Sequence, residues 1–504
     1  MKTKYALGAA TALVTTLLVA TGAQAGTLYI ANLSQANENP PTGAPYTGTG
    51  WVILNDAENS ATVTATHNIT IPLTGGHIHR GIGTVNGPVI FPFVAPYASP
   101  IGPLTWAIPA ADVVNLKNLG LYVNFHTAVN PGGAIRGTLV RALTSTAATT
   151  GAQTRVANAL DVSAGYNSDL DSILMSTATA SASVRTQTLE DLNGKTIYAQ
   201  GRQAVESMAG FENSLFAHAD TMARSEGQGF SGFIDGGSAF GKRSAYADQA
   251  GSSVTRPFIL GGVDYRFDPQ ASAGLAVGYA DGLDKFDNNA GRTKSKTTGI
   301  NGYISAGMGG SVVFSAAGGY GWTKYTTTRT ISSLSRTASS SHNGSVWTLG
   351  AKVAAPFAID NGATISPYAS VDSQSATIDA YTETGANSVN LIVPQIKVKE
   401  SASELGAAFR VPMGSGDTGV TANLTAGWRY LLNKGSGSFN TALQGSPNVA
   451  FNNLILSPGK NSAHLAANLS TVISGNLSGS IGYEGFISSR RSLHAIEARL
   501  VLKM

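Results

Sequence analysis

A chain of 504 residues with 42% hydrophobic and 12% charged residues has the composition of folded protein, and its length allows two or more domains. A net charge of +4, carried by scattered basic residues, argues against a nucleic-acid partner. The absence of cysteine excludes disulfides, thiol nucleophiles and cysteine-ligated zinc or iron–sulfur centres, while 59 glycines point to many turns or sheet bends.

Residues 1–25 read as a secretory signal: Lys2 and Lys4 at the start, an apolar stretch from Ala6 to Ala20, and Ala23-Gln24-Ala25 as a small-residue cleavage site. No later segment reaches the uninterrupted apolar length of a membrane helix. The expectation is an exported chain without a helical membrane span.

From residue 26 to 141, short strand-like runs (Leu28–Ala31, Trp51–Leu54, Ala61–Ile71, Leu121–Phe125) alternate with turn clusters such as Asn39-Pro40-Pro41 and Thr74-Gly75-Gly76. That spacing predicts a compact β-sandwich. Three separated motifs lie within it: Asn37-Glu38-Asn39-Pro40-Pro41, Gly76-His77-Ile78-His79, and Tyr122–Thr127 followed by Asn130-Pro131-Gly132-Gly133-Ala134-Ile135-Arg136-Gly137. Together they resemble the CHRD domain, a module first described in chordin and common in secreted bacterial proteins. Two positions depart from its pattern, Asn39 for valine and Ala134 for glutamate, and the second leaves Arg136 without its expected neighbour.

Within this module His77 and His79 are two apart, so on a strand both rings share a face, and His126 lies on a second strand. His-x-His with a distant third histidine is a pattern that metal sites use, and zinc or copper would be the ion. His67 is a fourth candidate. The competing reading is a structural cluster whose rings hydrogen-bond loop backbone.

Thr144 to Gln153 is a small, polar stretch of the kind that links domains. Beyond it, Val156, Ala159 and Leu160, then Leu170, Ile173 and Leu174, recur at helical spacing, with Gly165 as a break. Val156–Asp161 and Thr186–Gln200 resemble segments found just before the translocator of autotransporters, with Lys195 where that family prefers glutamate. Ala204–Arg224 then forms a last helical stretch, which the resemblance places inside a barrel lumen.

Residues 229–504 repeat a period of two. Twelve runs stand near 229–240, 257–267, 271–284, 294–307, 310–325, 343–357, 363–381, 397–412, 418–432, 461–473, 476–487 and 493–504. One face is apolar; the other carries Asp264, Arg266, Lys352, Glu404, Arg410, Arg429, Glu484 and Arg499. Charges of that kind suit the lumen of a transmembrane β-barrel. Tyr265, Phe267, Trp322, Tyr325, Trp347, Trp428 and Tyr430 are expected as interfacial girdles. Tight links (268–270, 308–309, 358–362, 413–417, 474–475) alternate with long ones (241–256, 285–293, 326–342, 382–396, 433–460) until 488–492. The last run should pair with the first, near Phe230–Phe240.

The expected fold is therefore all-β with a helical connector: a sandwich (26–141), a linker and helices (142–228) and a 12-stranded antiparallel barrel (229–504). No nucleotide or catalytic motif is present, so no enzyme is expected. The resemblance implies an outer-membrane autotransporter that anchors and displays the CHRD-like module at the cell surface. Its partners would be the lipid bilayer, the Sec translocon, the barrel assembly machinery and a surface ligand. Two alternatives stand beside it: a metal-binding passenger with a sensor or enzymatic role, and an adhesin or pore with the module in the periplasm. That family usually ends in an aromatic residue where this chain has Met504.

Overall fold

The computed structural model describes residues 26–222, 228–247, 249–268, 270–308, 312–413, 419–433 and 437–504. The signal segment 1–25 and the connector's end at 223–227 lie outside the described residues. The described chain forms two compact units, one of residues 26–141 and 163–171, the other of 142–162 and 172–504.

The first unit is a single curled antiparallel sheet of β1 (Gly26–Ser34), β2 (Thr47–Asn55), β3 (Ala61–His67), β4 (Leu73–Arg80), β5 (Val89–Pro92), β6 (Ile101–Trp106), β7 (Leu121–Thr127), β8 (Ile135–Thr138) and β9 (Val140–Arg141), with helix α1 (Ala110–Lys117). The order is β5-β4-β7-β8-β1-β2-β3-β6, and β9 pairs with β1. The two edge strands meet where Phe91 stacks on Trp106 at 5.2 Å, so the sheet closes over its own core. Val52, Val63, Ile78, Leu116, Val123 and Phe125 fill that core; each is worth about 1.5–3 kcal/mol when fully buried. β7 is buried on both faces, and its second face carries Tyr122, Asn124 and His126.

In the second unit, the stretch read as a small polar linker is ordered. Thr144–Ala147 is a short 3₁₀ turn held by Asp161, and α2 (Gly151–Leu160) starts at Thr150, whose side chain accepts from the Gln153 amide. Most of α3 (Ser168–Thr179, from Ser172 on) and all of α4 (Ala182–Leu192) follow, and α5 (Tyr198–Met222) begins before the predicted helix at Ala204.

Twelve long strands then close a barrel: Gly229–Arg243, Ser252–Asp268, Ala271–Phe286, Gly291–Met308, Val312–Ile331, Arg336–Ala354, Thr364–Ile378, Ile396–Met413, Val420–Leu431, Asn461–Ser474, Leu477–Ser488 and Arg491–Lys503. Each pairs antiparallel with the next, and the twelfth pairs with the first from Ser231–Lys503 to Arg243–Arg491. Closure leaves no sheet edge, the condition for strands in lipid. Alternation sets the faces: Leu275 and Val277 are 66% and 57% exposed, whereas Ala276 between them is 3% exposed. No helix among the described residues is long and apolar enough to cross a membrane.

Three expectations need correction. The links predicted as loops at 285–293 and 326–342 are mostly strand: the hairpin turns are only Asp287–Ala290 and Ser332–Ser335. The extra paired length misread as loop has an outward face that stops being apolar. Past Tyr320 and Trp322 that face reads Lys324, Thr326, Thr328 and Thr330; past Trp347 it reads Ser345, Asn343, Ser341, Ser339 and Thr337. Tyr325, expected in a girdle, instead points inward, fully buried against His342 at 5.3 Å. The long links 379–395 and 432–460 are also not plain loops. They build a second, four-stranded sheet from Tyr381–Thr382, Leu391–Val393, Gly437–Leu443 and Ser446–Ile455.

Candidate functional site

In the first unit, β4 and β7 pair with His77 opposite Asn124 and His79 opposite Tyr122. The alternation that sends Ile78, Val123 and Phe125 into the core brings His77, His79 and His126 together on the other face. Ring centroids lie 5.1 Å apart for His77–His126, 5.5 Å for His77–His79 and 5.8 Å for His79–His126. One ring nitrogen from each lies within 4.8 Å of the others.

Backbone carbonyls set two of the tautomers. Nδ1 of His79 donates to the Gly87 carbonyl at 2.9 Å, and Nδ1 of His126 donates to the Pro131 carbonyl at 3.0 Å. Each ring thereby keeps an Nε2 lone pair, and both of these nitrogens, with Nδ1 of His77, are buried without a hydrogen-bond partner. An unsatisfied buried polar atom costs about 1–3 kcal/mol, so three converging on one spot are not explained by folding alone. Burial depresses all three basicities, that of His77 to about 4, and the rings are neutral at pH 7. Neutral, converging imidazoles can ligate a transition ion. His67 does not join them. Its Nδ1 accepts from the Ile69 amide at 3.2 Å, and its Nε2 donates to the Tyr97 carbonyl at 2.9 Å.

The same face is braced from behind. Tyr122 lies between the His79 ring, stacked at 4.9 Å, and the Arg136 guanidinium, 3.7 Å from its centroid. The sequence left Arg136 without a neighbour; in the fold it is 1% exposed and donates to the Gly83 carbonyl and the Asn86 side chain, both at 2.9 Å. Glu38 is buried beside Asn124, and desolvation pushes its carboxyl up to about 7 against the pull of Arg136. Gly133, at φ +140°, sits so close that a Cβ there would stand 2.6 Å from the Glu38 carboxylate. Glu38 belongs to the Asn37–Pro41 motif, a signal that marked the segment but not its role.

The second site is the barrel lumen, which α5 fills. Its first turns lie at the hairpin end: the Tyr198 hydroxyl donates to the Ala250 carbonyl at 2.8 Å, and Arg202 pairs with Glu400. Midway, Glu206 accepts from Arg243 at 2.5 Å and Arg491 at 3.2 Å and forms an ion pair with Arg256 at 3.0 Å. Toward the tight-turn end His218 meets Asp264 at 2.7 Å, Asp220 meets Lys352 at 2.7 Å, and Arg266 donates to the Met222 carbonyl. Of the wall charges read from sequence, Asp264, Arg266, Lys352, Glu484 and Arg499 thus become partners of one helix, whereas Arg429 pairs with Asp372 and Glu404 with His464 on the wall itself.

The wall also recedes to admit that helix. Gly278, Gly299 and Gly321 are register neighbours on the third, fourth and fifth strands. A Cβ at Gly278 would stand 2.8 Å from Phe211, and Cβ atoms at Gly299 and Gly321 would stand 2.8 and 2.9 Å from Met208 Sδ. These are close-approach glycines in mid-strand, not turn glycines, and nothing in the local sequence sets them apart.

A family model described as the autotransporter beta-domain matches residues 232–484, half of the chain. The chain belongs to the autotransporter beta-domain family. A CHRD domain model matches residues 29–139 of this autotransporter. No curated protein matches it. Among solved structures it is similar to the translocator domain of the autotransporter NalP from Neisseria meningitidis, with 14% identity over 58% of this chain and 98% of that one, TM-score 0.46. It is also similar to the beta domain of the Bordetella autotransporter BrkA (12% identity, 55% and 100% covered, TM-score 0.41) and to the transport unit of AIDA-I from Escherichia coli (14% identity, 58% and 98% covered, TM-score 0.36). The autotransporter is an outer-membrane protein, and the barrel inserts there by the assembly route general to its family. Translocator barrels of this kind are generally non-enzymatic.

Proposed function

We propose that this autotransporter anchors its CHRD domain in the outer membrane and presents it outside the cell, with no catalysis by the barrel. The observation that carries this reading is the direction of α5. It enters the lumen at the end where the long hairpins stand and finishes at the end of the tight turns, beside strand one. Outer-membrane barrels keep short turns in the periplasm and long connections outside. The residues that precede α5 therefore emerge on the outer side, and they are fastened there. α2 donates from Arg155 Nε to the Asn452 carbonyl at 2.6 Å, and the Asp191 carboxylate of α4 accepts from the Ser333 amide at 2.8 Å. The CHRD domain is continuous with this segment. Export by a Sec-type translocon, delivery to the assembly machinery and a ligand at the surface complete the reading.

Protease treatment of intact cells, followed by detection of an epitope within 26–141, tests it. Loss of the epitope with the outer membrane sealed is the expected result. Protection until the membrane is broken would place the CHRD domain in the periplasm and overturn the reading.

A further inference from the structure

We infer that the CHRD domain holds one zinc(II) or copper(II) ion through Nε2 of His79, Nε2 of His126 and a ring nitrogen of His77, with a fourth position open to solvent. This inference does not depend on which side of the membrane the domain occupies.

Elsewhere in the same domain, His67 satisfies both of its nitrogens, with the Tyr97 carbonyl and the Ile69 amide. His79 and His126 satisfy only one each. In both, the bonded atom is Nδ1 and the acceptor is a main-chain carbonyl, the arrangement that orients an imidazole ligand and raises its donor strength. The bare Nε2 atoms, and the bare Nδ1 of His77, are the ones left buried and unpartnered. A hydrogen-bonded His–His contact would leave fewer orphans; a shared cation removes all three.

Size and donor type narrow the ion. One ring nitrogen of each histidine lies within 4.8 Å of the other two. Metal–nitrogen bonds of about 2.0–2.1 Å require nitrogen separations of about 3.3–3.6 Å, so the rings close on the ion by roughly an ångström. Ring torsion about Cβ supplies that shift without moving the strands. Magnesium and calcium take oxygen ligands and are excluded. The domain has no cysteine or methionine, so no soft donor favours a monovalent ion. Three imidazoles suit copper(II) and zinc(II), in that order of affinity. His77 and His126 are half-buried while His79 is buried, so one side of the cluster lies close to the surface, where water would complete the coordination. A three-ligand site reached by water keeps an exchangeable position.

The test uses the full chain purified in detergent without a polyhistidine tag. Zinc or copper ions alone are added after chelation, and binding is read by calorimetry and by elemental analysis after gel filtration. One ion per chain is expected. His77→Ala, His79→Ala and His126→Ala should each lower the affinity at least about tenfold, the least that loss of even an outer-shell partner costs. His67→Ala, with both nitrogens already bonded to backbone, should leave stoichiometry and affinity unchanged. Electron spin-echo spectroscopy of the wild-type copper form needs no variant and guards against misfolding. It should show imidazole nitrogens, and added azide should shift the visible spectrum. Absence of stoichiometric binding in the wild type overturns the site. So do equal losses in His67→Ala and His79→Ala, or a copper spectrum without imidazole coupling. An azide-insensitive spectrum overturns the open position.

Discussion

At the scale of single residues, Glu38 and His77 set opposite pH limits on the CHRD domain. The Glu38 carboxyl is raised in the fold, from 4.5 to about 7, so the folded state binds its proton more tightly than the unfolded chain. Its contribution is complete below pH 4.5 and is lost as the pH rises toward 7. His77 is depressed in the fold, from 6.5 to about 4, so its contribution is complete above pH 6.5 and is lost as the pH falls toward 4. Glu38→Gln should therefore raise the melting temperature of this domain at pH 8 and leave it unchanged at pH 4, measured by calorimetry on the full chain. An equal change at both values would show that the carboxylate is not desolvated. His77→Gln should flatten the loss of stability between pH 6.5 and 4. The His-x-His spacing made these rings legible in the sequence. Their tautomers were not, because Gly87 and Pro131 contribute carbonyls, and a carbonyl carries no residue-type signal.

At the scale of elements, the lumen helix is held by charge and admitted by missing side chains. Removing the Glu206 carboxylate leaves Arg243, Arg256 and Arg491 clustered without their common acceptor. Breaking a buried ion network by one partner typically costs about 3–5 kcal/mol. Glu206→Ala should lower the urea midpoint at which the barrel loses its fast gel mobility, and a midpoint equal to wild type would mean that water already screens the arginines. Gly299→Leu acts sterically. Its side chain would occupy the space of Met208, and overpacking of about 1–3 kcal/mol or displacement of the helix follows. Limited proteolysis should then cut within 198–222, a segment the wild type protects. The twelve strands were legible because lipid imposes a strict period of two. The ends of the hairpins were not, since beyond the bilayer their outward residues turn to Ser, Thr and Lys and resemble loops. The glycine row was invisible because it exists only across three strands.

At the scale of the whole molecule, twelve-fold closure and the buried helix predict a heat-modifiable band in detergent for the full chain, slower after boiling. A mobility indifferent to boiling would contradict the closed barrel. Closure, strand count and the pairing of the last strand with the first were all readable from periodicity, whereas the four-stranded sheet at the hairpin end arose from segments with no sustained alternation. That sheet, which holds α2, and the hairpin after the fifth strand, which holds α4, make these two helices a fixed part of the barrel.

The polar reach of the hairpins has a further effect on what the cell shows its surroundings. From Trp322 to the turn after Ile331 the fifth strand continues for about 30 Å along its own axis, and a strand tilt of about 40° still leaves it roughly 20 Å tall. The barrel thus stands above its lipid like a pedestal wrapped in hydroxyl groups. An antibody or phage approaching from outside would meet this threonine-lined shaft before it met the membrane.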